Sequence, residues 1–111
     1  MVPIVITTII HQGISPEDAE RLLAKPAELE LKTVDGITEI TSFSSENAAT
    51  IVTEFDIDFE SQYALSEVRE AINRAKARFP QDTEEPLIQE VSAATLPVVQ
   101  IAIGGDGVPE R

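Results

Sequence analysis

Ala49-Thr50-Ile51-Val52-Thr53-Glu54-Phe55-Asp56-Ile57-Asp58-Phe59 alternates, and the stretch after it does not. Ile51, Thr53, Phe55, Ile57 and Phe59 fall on one face of an extended chain, and Glu54, Asp56 and Asp58 on the other. From Glu60-Ser61 onward the apolar positions are Ala64, Val68, Ala71, Ile72, Ala75 and Phe79, which is helical spacing. Pro80 stops that helix, predicted over Gln62 to Arg78. A change of period from 2 to 3.6 marks a strand feeding a helix. Upstream, Ile37 to Phe43 forms a second arm, joined to the first through Ser44-Ser45-Glu46-Asn47, so the two make a hairpin. Further upstream, Ser15 caps a helix with Pro16 at its first position and Glu17 and Asp18 in its first turn. Ala19, Leu22, Leu23, Ala27 and Leu31 carry its stripe. Pro26 cannot donate to the Leu22 carbonyl, so a kink or a loosened turn is expected there.

Three more strands complete the reading. Val2 to Ile10 is rich in β-branched residues and reads as a buried strand. Leu87 to Val91 is a short one, beyond the acidic loop Gln81 to Glu85, and Leu96 to Ile103 another. The order is β-α-β-β-α-β plus an extra C-terminal strand. This is an α+β, ferredoxin-like split βαβ arrangement: a four-stranded antiparallel sheet with both helices on one face. The expected strand order is 4-1-3-2, with the strands at 2–10 and 49–59 central and adjacent. One unit is expected over 1–92. Residues 93–111 read as the start of a next unit, because an apolar strand followed by the turn at Gly104 to Gly107 has lost its continuation. Met1 reads as a start placed on an excised piece. As an isolated piece, the chain is expected to dimerise through Leu96 to Ile103, since unpaired strands recruit neighbours.

Composition narrows the function. Twenty acidic against eight basic residues give a formal charge of −12. Such a chain repels phosphate backbones and anionic lipid, so nucleic-acid binding is not expected. There is no cysteine, hence neither a disulfide framework nor thiolate chemistry. No apolar run approaches the roughly 20 residues that span a bilayer.

Candidate chemistry is sparse. His11 is the sole histidine and lacks the partners a metal site or triad needs, so it reads as a strand-end polar residue. Asp56 and Asp58 share a strand face that alternates against an apolar one, which makes them solvated acids. No calcium-binding loop pattern is present. Arg69, Arg74, Lys76 and Arg78 are four of the eight cations, but Glu67 and Glu70 interleave with them. They read as a solvated helix face with a Glu70–Arg74 pair at i,i+4. No cofactor and no catalytic set is expected, so the chain is not read as an enzyme.

Gly13-Ile-Ser-Pro-Glu-Asp-Ala-Glu, Lys25-Pro26-Ala27-Glu28, Val34-Asp35-Gly36-Ile37 and Ser42-Phe-Ser-Ser follow one another in a collinear series, with Phe55, Ala64, Val68 and Phe79-Pro80 behind them. The series resembles the first porter subdomain of RND-type efflux transporters of the AcrB branch. His11-Gln12 stands where an aromatic-Pro pair is frequent, and Glu60, a weaker N-cap, where Asp is usual. The resemblance implies part of a proton-driven multidrug antiporter in a Gram-negative inner membrane, periplasmic and trimeric. It implies adaptor and outer-membrane channel partners and hydrophobic or amphiphilic drugs as cargo. Under it the second helix lines a central pore, with Arg69, Asn73 and Lys76 as the axis-facing candidates. Ala94, Thr95 and Leu96 would lie near a drug pocket. The rival reading is a stand-alone ferredoxin-like ligand-binding or regulatory module, since that fold hosts many functions.

Overall fold

A computed structural model describes residues 2–92 of the chain. Its elements are β1 (Pro3–Ile10), α1 (Pro16–Ala19), a π-helical turn (Glu20–Ala24), α2 (Lys25–Leu31), β2 (Ile37–Ser45), β3 (Ala48–Phe55), α3 (Ser61–Ala75), a 3₁₀ turn (Lys76–Arg78) and β4 (Leu87–Ser92). The sheet runs β2-β3-β1-β4 and every pairing is antiparallel. That is the expected order, with β1 and β3 side by side at the centre. The extra strand Leu96 to Ile103, and the dimer contact assigned to it, lie outside the described residues.

Burial follows the pleat. Pro3, Val5, Thr7 and Ile9 of β1, and Ala49, Ile51, Thr53 and Phe55 of β3, point inward and are buried. They meet Ala19, Leu23, Ala24, Ala27 and Leu31 from the first helical segment, and Ala64, Val68, Ala71 and Ile72 from α3, in one core. Both helical layers therefore cover the same face of the sheet. Thr7 and Thr53 are wholly buried within this core, and neither hydroxyl has a hydrogen-bond partner among the described residues.

Local chemistry sets the ends of the elements. The Ser15 hydroxyl accepts from the Asp18 amide at 3.2 Å, a side-chain N-cap. Glu60, at the N-cap of α3, makes no such bond. The hairpin is tighter than the sequence implied. β2 runs on to Ser45, which pairs with Ala48, and only Glu46-Asn47 turn the chain. Asn47 takes φ 75°, a left-handed conformation that asparagine tolerates.

The strand predicted to reach Phe59 stops at Phe55. Asp56 ends it: its side chain accepts from the Asp58 amide at 2.9 Å, and its carbonyl from the Phe59 amide at 3.0 Å. That local turn competes successfully with the ladder. Asp56 and Asp58 therefore share no strand face, and Ile57 is 60% exposed where alternation would bury it.

Phe59 swings back to stack on Tyr63, with ring centroids 5.1 Å apart. It also covers Gly36, which has φ 96°. A Cβ there would lie 2.8 Å from the Phe59 ring. We expect Gly36→Ala to destabilise by at least about 1–2 kcal/mol, the left-handed cost alone. Chemical denaturation checks this, and a neutral result would mean that residues 35–37 can adopt another backbone.

Candidate functional site

The exposed side of α3 is the surface the sequence singled out. Its inward stripe of Ala64, Val68, Ala71, Ile72 and Ala75 is buried. Turned away from the core, Arg69 and Asn73 are exposed and Lys76 is half-buried. Arg69 and Asn73 line a shallow cavity of about 300 Å³ with Glu85, Pro86, Leu87 and Ile88. Lys76 approaches the same loop, its Nζ 2.8 Å from the Glu85 carboxylate. Arg69 and Asn73 thus share the side of α3 that borders β4, and Lys76, at the start of the 3₁₀ turn after it, reaches the same loop. Ala94, Thr95 and Leu96 lie outside the described residues.

Sequence spacing mispairs one cation. Arg74 does not bond Glu70. Its Nε lies 2.9 Å from Glu30 on α2, and Arg78 approaches the other oxygen of the same carboxylate at 3.4 Å. Glu30 is only 16% exposed, and the Arg74 guanidinium also reaches the Thr33 hydroxyl at 3.4 Å. A carboxylate held between two guanidiniums outcompetes a solvated i,i+4 neighbour, whose pairing is worth a few tenths of a kcal/mol. Nothing local in the sequence marks Glu30, because the contact crosses 44 positions.

His11 behaves as a strand-end residue. Its Nδ1 lies 2.9 Å from the Thr83 hydroxyl and its amide donates to Asn47. No group of three or more His, Cys, Asp or Glu side chains is placed to hold a metal ion among the described residues. Tyr63 donates to the Asp35 carbonyl at 3.3 Å. Partial burial, with Glu67 and Asp35 adding, raises its hydroxyl above the ordinary tyrosine range. This group belongs to the aromatic cluster under Gly36, away from Arg69 and Asn73. What α3 and the turn after it offer is a mixed-charge surface, paired to α2 through Glu30 and to the 85–88 segment through Lys76.

Comparison with known proteins agrees over nearly the whole chain. The model of the AcrB/AcrD/AcrF family matches residues 1–110. The multidrug resistance protein MdtC of Escherichia coli K12 is 29% identical over 105 residues, and the swarming motility protein SwrC of Bacillus subtilis 26% over 104. MdtC of Erwinia amylovora is 29% identical over 105 residues. In each case the match covers 94% of this chain and 10% of the relative. The chain therefore spans about a tenth of the length of the curated relatives it matches.

Proposed function

Because the chain belongs to the AcrB/AcrD/AcrF family, we propose that it is a porter subdomain of an RND multidrug efflux transporter, a mechanical part with no enzymatic role. The unit 1–92 is its body, and 93–111 lead into the next subdomain. In the parent it stands in the periplasm above an inner-membrane antiporter, within a homotrimer that engages an adaptor and an outer-membrane channel. Its cargo is hydrophobic or amphiphilic drugs. Three copies of α3 surround the central pore, with Arg69, Asn73 and Lys76 on the axis side.

One structural observation carries this reading. The sheet face opposite the helices has Ile4, Ile6, Ile10 and Val52 half-buried, with Phe43 and Leu87 exposed in the row that runs through Thr50 and Thr8. Glu39, Thr41, Glu54 and Gln89 share that face, and among the described residues no layer covers it; an uncovered, partly apolar sheet face fits a unit packed inside a larger protein. Among the described residues no helix is long and apolar enough to cross a membrane.

The experiment is direct. The parent gene should encode about twelve apolar spans by hydropathy. Expressed in a host stripped of its own pumps, it should raise tolerance to amphiphilic dyes, and deletion of the segment 3–92 should abolish that gain. A parent without such spans, or one whose expression leaves tolerance unchanged, would overturn the proposal in favour of a binding module.

A further inference from the structure

The first helical segment is two pieces with a joint between them. Pro26 has no amide to give to the Leu22 carbonyl, and its ring crowds that carbonyl in a regular α-helix. The chain answers by widening one turn: the Lys25 amide bonds the Glu20 carbonyl, five residues back. The two pieces are fastened to different parts of the molecule. At the front of α1, the Gly13 amide donates to the Asn47 side chain at 2.7 Å, and the Asn47 amide donates to the Ile14 carbonyl at 3.0 Å. That end is tied to the turn of the β2–β3 hairpin. At the back of α2, Glu30 is held by Arg74 and Arg78, which tie it to α3 and the turn after it.

We propose that the π turn at Glu20–Ala24 is a hinge, which lets α1 move with the hairpin while α2 moves with α3. A straight α-helix joining the same two anchors would transmit any shift of α3 to the hairpin as a rigid rod. A widened turn absorbs such a shift, and interruptions of this kind recur at functional sites. The proposal rests on the fold alone and stands or falls apart from the transport reading.

Amide hydrogen exchange on the chain tests it. In the unaltered protein, Leu23 to Lys25 should exchange at least about tenfold faster than Leu29 to Leu31, the signature of local opening. Pro26→Ala should bring the two groups within about threefold, because a regular turn can then form. Glu30→Gln should lower protection in α2 and α3 while leaving Ala19 of α1 unchanged. Equal protection of the two groups in the unaltered chain would overturn the hinge, whether or not Pro26→Ala folds. So would a Glu30→Gln variant in which α1 and α2 lose protection together, because the two pieces would then move as one rod.

Discussion

Phe55→Ala should destabilise the chain by about 3–5 kcal/mol, the range for truncating a buried phenylalanine. Phe55 is wholly buried at the last position of β3. Its ring meets Tyr63 edge-on, with centroids 6.3 Å apart and planes at 87°. The backbone on either side is fixed, by the ladder to Ile37 and by the Asp56 turn. Little can therefore collapse into the space left behind, which places the cost high in the range. Small domains have only about 5–15 kcal/mol to lose, so the urea midpoint should fall steeply with little change in slope. A loss under about 1 kcal/mol would mean that Phe55 does not anchor the core.

The second large effect runs the other way. Thr7→Val and Thr53→Val should each stabilise the protein by about 1–2 kcal/mol. Both hydroxyls are wholly buried, with no partner among the described residues. An unsatisfied buried polar group costs about 1–3 kcal/mol, and a methyl of the same shape removes that cost. In the β1–β3 register Val5 faces Thr53 and Thr7 faces Ile51, so the two threonines are diagonal neighbours on the inward face. Their effects need not add, and a double-mutant cycle measures the coupling. A double variant less stable than the parent would show that the hydroxyls have partners, an internal water being the simplest. Threonine is at home in a strand because it is β-branched. Its hydroxyl is what the packed core does not need.

The fold was legible because its signals are local. Alternation in 49–55, the stripe from Ala64 to Ala75 and the Ser15 cap each act within one element or one turn, and together they imply the topology. Three features escaped that logic. The strand ended at Phe55 and not Phe59, because the Asp56 side chain captured the Asp58 amide, a bond that alternation does not encode. Pro26 announced a kink or a loosened turn in the first helix and left open which; the structure has the loosened turn, and the choice lies in which carbonyl Lys25 selects. Glu30 was silent, since its two arginine partners come from α3 and the turn after it, which only the folded chain brings near. Of the candidate surface, the side of α3 could be read from the helical period. That Lys76 is tied to Glu85 while Arg69 and Asn73 border the 85–88 segment could not, because it depends on where the loop before β4 returns.

If α3 works by packing around a three-fold axis, only one side of it can meet its symmetry mates. The measurement is a cysteine at each position from Glu67 to Arg78 in the full-length transporter, scored for intersubunit crosslinking and for drug resistance. Disulfides form only when Cα atoms approach within about 4.4–6.8 Å. Copies related by the axis bring each axis-facing residue close to its own equivalents. The account predicts crosslinks, with loss of resistance, centred on Arg69, Asn73 and Lys76. It predicts none at the wholly buried Val68, Ala71 and Ala75. Twelve variants that neither crosslink nor impair efflux would contradict it, and would leave α3 as the solvated scaffold of its sheet.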